Sequence, residues 1–337
     1  MCLNEAVEHG EKFAKKRDVL FILENVAGFT QNDIFIKGET EFPEQFLQEY
    51  ENRLKRLAKG EPLQYVLGKW DFCGTEFITD KRALIPRPET ELLAEIVANF
   101  VNQVSGTKST IPRDACFSSI GNHISPMKDA YLGAEKKITF RRDLRLLPTE
   151  NTNKILEVVF RRENIHGKPD SRTLQILDVC TGSGCIGLSV AKLTGYRHKV
   201  VLADISEETL DLARENHEYM GIPPNISFVH SDLLERVQEE FDIIVSNPPY
   251  IKSHELKLLP ENVRNHEPML ALDGGADGLA IYKKLLPQCF VKLKPGGYVF
   301  LEIGPSETAH IMEEAGFTNI KTRKDYAGLD RILYAMR

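Results

Sequence analysis

Leu174-Gln175-Ile176-Leu177-Asp178-Val179-Cys180-Thr181-Gly182-Ser183-Gly184 decides the fold. A short apolar run, Leu174 to Val179, carries an acid near its end, and a glycine-spaced turn then leads into a second apolar segment, Ile186 to Leu193. That order predicts a buried strand, a tight turn and a helix. Gly182 and Gly184 can take positive φ and let a ligand approach the backbone closely. Free N–H groups at the start of the helix can face a carboxylate. Alone, a strand followed by G-x-G is weak, since it also fits dinucleotide sites and plain tight turns.

Downstream the unit repeats. Strands are predicted at Val200–Ala203, Ile226–Val229, Phe241–Val245 and Tyr298–Ile303, with helices at Glu207–Tyr219, Leu279–Leu293 and Glu307–Glu314. Such alternation predicts an α/β fold with a parallel, doubly wound sheet. Two last strands, near Ile320–Lys324 and Ile332–Ala335, suit an antiparallel edge. Ligands of these sheets sit beyond the carboxyl ends of the strands, where strand order reverses. Asp204 ends the second strand, where a carboxylate can accept from ribose hydroxyls, and Asp232 follows the third, where it can meet an adenine edge. Each acid taken singly also reads as a helix cap or solvated loop residue; Asp204 stands just before Ser206 and Glu207. Acids at three consecutive strand ends point to a nucleoside site, and since a dinucleotide oxidoreductase would share the first two features, they do not decide the reaction.

Phe241-Asp242-Ile243-Ile244-Val245-Ser246-Asn247-Pro248-Pro249-Tyr250 narrows the chemistry. An apolar strand runs straight into two prolines, which restrict the chain and donate no backbone hydrogen bond, so carbonyls can be held facing a site. The Asn247 side-chain oxygen and the Pro248 carbonyl can together accept both hydrogens of a planar NH2 group, while Tyr250 can stack on it. Held in this way, a weakly nucleophilic amide nitrogen is set for in-line attack on a sulfonium methyl by placement and electrostatics. The loop suits exocyclic or amide nitrogen without choosing protein over nucleic acid. Its bland reading is a proline-stiffened loop with a buried tyrosine.

Upstream, residues 1–60 are helical in pattern. Val19, Leu20, Ile22, Leu23 and Val26 share a face that Gly28 stops, and Phe46, Leu47, Tyr50, Leu54 and Leu57 share another within Pro43–Ala58. Alternating stretches at Trp70–Ile78 and Arg82–Ile85 predict a hairpin or paired connector. Ile85-Pro86-Arg87-Pro88-Glu89-Thr90-Glu91 stiffens the chain and opens a helix. Val104 to Arg172 is rich in polar and basic residues, with one apolar stretch, Ile155–Phe160, and reads as an inserted, partly disordered loop.

Bulk properties exclude more than they assign. No apolar run approaches a membrane span, and the amino-terminal residues lack a signal-peptide core. Six scattered cysteines without a C-x-x-C pair suggest neither zinc nor disulfides, so a cytoplasmic protein is expected. Net charge is −6, and only residues 101–173 are basic, with 13 basic and 8 acidic side chains. The strong basic face common in nucleic-acid enzymes is therefore absent from the bulk signal.

Several motifs together resemble a known family. They are Gly60-Glu61-Pro62-Leu63-Gln64-Tyr65-Val66-Leu67-Gly68, Leu84 to Glu91, Ile176 to Gly184, Val245 to Ile251, and Glu267-Pro268 with Ala271-Leu272-Asp273-Gly274-Gly275. The chain resembles the HemK/PrmC-type protein-(glutamine-N5) methyltransferases, over about residues 15–100 and 174–337. The resemblance implies a class I S-adenosyl-L-methionine-dependent, Rossmann-like methyltransferase domain, preceded by a small helical domain and a hairpin. On this division residues 1–70 grip the substrate, 71–88 connect, and 89–337 carry the catalytic fold with 104–172 inserted. It implies transfer of a methyl group to the glutamine of the Gly-Gly-Gln loop in peptide chain release factors. By position, cofactor contacts fall on Cys180, Thr181, Gly182, Ser183, Gly184, Asp204, Leu233 and Asn247, to which the strand-end reading adds Asp232, and glutamine contacts on Asn247, Pro248, Pro249 and Tyr250. No metal, membrane or nucleic acid is required, and a monomer is expected. Three features depart from the family: Cys180 replaces the usual glycine, where a positive φ would be strained; Leu233 replaces a frequent aromatic; and the insertion is unusual. An exocyclic-amine methyltransferase of RNA or DNA and a non-catalytic binding factor are the rival readings.

Overall fold

Gly28 and Thr30 show how local chemistry shapes the amino-terminal helices of the computed structural model, which describes residues 1–106, 172–304, 307–325 and 327–337. Gly28, at φ 76°, closes α2 (Lys16–Ala27) by donating its N–H to Glu24. Thr30 and Asp33 then form a reciprocal capping box that opens α3 (Gln31–Lys37). With α1 (Leu3–Gly10), α4 (Glu44–Ala58) and α5 (Leu63–Leu67) they enclose a core of Leu3, Ile22, Leu23, Tyr50 and Leu54, all fully buried. The Tyr50 hydroxyl satisfies itself inside by donating to the Ala6 carbonyl at 2.7 Å. The hydrophobic pattern foretells α2 and α4. The others span eight, seven and five residues, too short to display a 3.6-residue face.

The hairpin is β1 (Lys69–Phe72) with β2 (Thr75–Ile78), joined by Cys73 at φ 51° and Gly74 at φ 65°. Two positive φ values in a two-residue loop match the right-handed twist of the strands. Both arms lie within 69–78, so the strand expected at Arg82–Ile85 does not form. The reason is competition for its backbone groups: the Arg82 N–H donates to Asp80, the Arg82 carbonyl accepts from Thr209, and the Ile85 N–H donates to Glu267. Proline then opens α6 (Pro88–Val104), whose Leu93, Val97, Phe100 and Val101 are buried.

Seven strands form the main sheet in the order β5-β4-β3-β6-β7-β9-β8. β3 (Gln175–Val179), β4 (Lys199–Asp204), β5 (Ile226–His230), β6 (Phe241–Ser246) and β7 (Leu293–Glu302) run parallel. β9 (Asp330–Met336) is antiparallel to both β7 and β8 (Thr318–Lys324). Strand order reverses between β3 and β6, as a doubly wound sheet requires. One face packs against α6, α7 (Cys185–Leu193) and α8 (Glu207–Tyr219). The other packs against α10 (Ala280–Lys292) and α11 (Thr308–Glu314), after the single turn α9 (Glu261–Arg264). The α/β architecture and antiparallel edge read from the sequence are thus present. The expected insertion falls almost wholly on 107–171, and with its apolar run Ile155–Phe160 it lies outside the described residues.

Candidate functional site

Asp178, one residue before the end of β3, is fully buried, and its Oδ2 accepts from Thr181 Oγ1 at 2.7 Å and from the Gly187 N–H at 2.9 Å. It thereby folds the turn back onto the start of α7. Its Oδ1 is buried with no partner among the described residues, and burial pushes its pKa up to about 7. Gly187 is the contact that seats α7 on the sheet, because a Cβ there would stand 2.3 Å from Leu202. Gly182, at φ 58°, faces open space where a Cβ would meet nothing within 4 Å, so a ligand can lie against its backbone. Gly184, at φ 82°, is the residue from which α7 starts.

Cys180 is the departure that matters for strain. Its φ is 56°, the left-handed region that glycine adopts freely and an L-residue with a Cβ does not. Burial first, and then the negative charges of Asp204, Asp178 and Asp232, push its thiol well above its ordinary pKa. Asp204 braces the loop, accepting from the Gly182 N–H and the Ser206 N–H, each at 3.0 Å. Asp232 is exposed beyond β5, and Leu233 beside it has φ 49° with its side chain buried in the core.

Asn247 follows β6 directly and is held by a residue outside its own loop. Its Nδ2 donates to Thr90 Oγ1 at 3.1 Å, and Thr90 Oγ1 donates to Glu302 Oε2 at 2.7 Å. Tyr250 reaches the same carboxylate, 3.4 Å from its hydroxyl to Glu302 Oε1. Glu302, at the end of β7, is 2% exposed, and burial pushes its pKa up to about 7. The Tyr250 ring packs against the Gly304 backbone, since a Cβ on Gly304 would come 2.4 Å from it. From the other side Leu272 to Gly274 pairs with the loop: Ile251 donates to Leu272 at 3.0 Å, and Gly274 donates to Ile251 at 2.8 Å. A Cβ on Gly274 would stand 2.6 Å from the Tyr250 Cα, so this approach needs glycine.

The sequence-predicted residues therefore gather at the carboxyl ends of β3, β4, β5 and β6. Reasoning on sequence missed the supports: Thr90, Glu302 and Asn216. The sequence marks Thr90 only as part of a helix start, and Glu302 carries no local signal. Asn216 on α8 is fully buried, takes the Ile78 N–H at 2.6 Å and donates to Ser183 O at 3.0 Å, tying hairpin to turn. A cavity of about 550 Å³ lies elsewhere, beside Leu174, Asp242 and Lys294 at the opposite ends of the strands. Among the described residues no group of His, Cys, Asp and Glu is arranged to hold a metal, and no helix is long and apolar enough to cross a membrane.

Residues 8–68 match the PrmC N-terminal domain and residues 164–276 the methyltransferase small domain. The release factor glutamine methyltransferase of Clostridium acetobutylicum is 30% identical, with 96% of this chain and 88% of that protein covered. That of Streptococcus pneumoniae is 31% identical, covering 98% and 93%, and that of Agrobacterium fabrum 29%, covering 94% and 88%. Carrying both domains in order on a class I methyltransferase fold, the chain belongs to the release factor glutamine methyltransferase family.

Proposed function

We propose that this protein transfers a methyl group from S-adenosyl-L-methionine to the side-chain amide nitrogen of the glutamine in the Gly-Gly-Gln loop of peptide chain release factors. The observation that carries the proposal is the fixed Asn247 carboxamide at a strand end, beside the backbone-packed ring of Tyr250. The family's full-length match, helical amino-terminal region included, favours a protein acceptor over a nucleic-acid base.

The residues present fit the cofactor. The open face of Gly182 and the unpartnered Asp178 Oδ1 leave room and hydrogen-bonding capacity at the turn. On this reading Cys180 to Gly184 cradle the cofactor, Asp204 takes its ribose hydroxyls, and Asp232 and Leu233 border the adenine. Bound S-adenosyl-L-methionine supplies an electrophilic methyl group on a cationic sulfur. Asn247 Oδ1 and the Pro248 carbonyl accept the two amide hydrogens of the glutamine. They hold the nitrogen in one orientation and favour the charge that develops as it pyramidalises. Pro249 keeps the loop stiff, and Tyr250 covers one face of the flat carboxamide. Helices α1 to α5 grip the release factor, and the enzyme acts as a monomer without nucleic acid.

Mass spectrometry of a release factor incubated with enzyme and cofactor tests the proposal. One methyl should appear on the glutamine of Gly-Gly-Gln, and Asn247→Ala should lose nearly all of it. Labelled methyl found in RNA or DNA and not in release factor would overturn the assignment, as would an Asn247→Ala enzyme of full activity.

A further inference from the structure

Thr90 stands 157 residues before Asn247 and belongs to a different element, the first turn of α6. Its hydroxyl is buried, with the residue 3% exposed, and owns a single hydrogen. That hydrogen goes to Glu302 Oε2 at 2.7 Å, so only a lone pair remains for Asn247. Asn247 must then present its NH2 to Thr90, at 3.1 Å, and turn Oδ1 the other way. Among the described residues Oδ1 accepts no hydrogen bond. The relay therefore selects one of two amide rotamers that are nearly identical in shape and opposite in hydrogen-bonding sense. The rejected rotamer would offer a donor to an acceptor NH2 that itself only donates.

We propose that Thr90 and Glu302 are positioning residues that lock the Asn247 carboxamide with its oxygen toward the acceptor amide. This deepens the function proposed above and rests on it. Neither residue needs to touch substrate. The direction of the relay depends on Glu302 acting only as an acceptor. Once protonated it can donate to Thr90, which frees the threonine hydrogen to meet Asn247 Oδ1 and admits the inverted amide. Groups from every neighbouring element face this carboxylate: Arg331 on β9 favours its ionised form, while Glu89 on α6 opposes it. Among the described residues Tyr250 after β6, Tyr282 on α10 and Cys185 at the start of α7 also interact with it. Burial dominates and raises its pKa to about 7, so the relay weakens as pH falls below neutrality.

The test uses the full chain as wild type, Thr90→Val, Thr90→Ser, Asn247→Ala and the Thr90→Val/Asn247→Ala double variant. Valine keeps the shape of threonine and removes the hydroxyl. With release factor and cofactor saturating, kcat of Thr90→Val should fall roughly 10- to 100-fold, as for outer partners that orient a contacting ligand. KM for S-adenosyl-L-methionine should hold, and serine should restore most of the rate. In the Asn247→Ala background the valine change should cost nothing further. Wild-type kcat should decline from pH 8 to pH 6, and the valine variant should lose that limb. A wild-type kcat in Thr90→Val, or the same fold loss in both backgrounds, overturns the proposal. A second measurement is independent of turnover: the Asn247 side-chain amide signal, assigned by its loss in Asn247→Ala, should exchange slowly with solvent in wild type and Thr90→Ser and rapidly in Thr90→Val. Equal exchange in all three also overturns it. Absence of methyl transfer by wild type would instead sink the function proposed above.

Discussion

Arg87 and Glu267 are 180 residues apart in the chain and meet at 2.5 Å, with the Glu267 side chain fully enclosed. Glu267 also accepts the Ile85 N–H at 3.2 Å, so one carboxylate serves both a guanidinium and the backbone of the proline-rich hinge. Two fragments that read as separate motifs are thus halves of one contact, and it joins the start of α6 to the loop that backs Tyr250. Removing Arg87 leaves a buried charge uncompensated, which costs about 3–5 kcal/mol. Arg87→Ala should show that loss in urea unfolding, and replacing both residues by methionine should recover much of it. Equal losses in the single and double variants would contradict the buried-pair account.

Asn216 makes three hydrogen bonds from a fully buried position, to Ile78 N, Ile78 O and Ser183 O. Asn216→Ala strands these backbone groups, at about 1–3 kcal/mol for each group left unsatisfied. Because Ser183 belongs to the glycine turn, calorimetry should also show weaker S-adenosyl-L-methionine binding. A lowered melting temperature with unchanged cofactor affinity would separate the hairpin from the turn and refute the coupling.

Cys180→Gly should relieve the left-handed backbone at φ 56°, where an L-residue costs roughly 1–2 kcal/mol. Part of that gain offsets the lost packing of the thiol. Stability should therefore be equal or up to about 1 kcal/mol higher, with cofactor affinity retained. Cys180→Val, β-branched at the same φ, should be destabilised. Denaturant titration that ranks valine above glycine would show that the turn relaxes in solution.

Glu91 is 9% exposed and accepts the Cys73 N–H at 3.2 Å in the turn of the hairpin. Burial first, and then Asp71, Glu95 and Glu89, raise its pKa from 4.5 to about 7. The folded state thus holds a proton that the unfolded chain releases between pH 4.5 and pH 7. Stability from this group is present at low pH and is lost as pH rises through that window. Glu91→Gln keeps the acceptor without the charge, so its melting temperature relative to wild type should climb between pH 5 and pH 7.5. Parallel curves would exclude the assignment. Asp178 and Glu302 remain in both proteins and leave the difference unaffected.

Gly304→Ala should strike the Tyr250 ring, since the added Cβ falls 2.4 Å from Cδ2. Cofactor affinity should survive while methyl transfer drops, because the glycine turn after β3 lies on other strands. Unaltered kcat would mean that the ring position is immaterial to the reaction.

Much of the fold was legible because its signals are local. Buried parallel strands are short apolar runs closed by turn residues, and β3, β4, β5 and β6 each show one. Glu207–Tyr219 is found with the very bounds its pattern predicts. The misread strand at 82–85 shows the limit. Its alternation is genuine, yet Asp80, Thr209 and Glu267 take its backbone groups, and none of those partners is marked in the segment itself. The left-handed backbone at Leu233 was equally silent, because its residue type does not favour that conformation.

From the order of residues alone came the alternation of strand and helix, the acids at strand ends and the Asn-Pro-Pro-Tyr loop, because period, turn chemistry and ring constraints act between near neighbours. Folding in three dimensions settled which way the Asn247 amide points, which carboxylates lose their charge near neutrality and which glycines are needed for close approach. The amide direction depends on Thr90 and Glu302, 157 and 55 residues from Asn247, brought within hydrogen-bonding range only when the sheet closes and water is excluded.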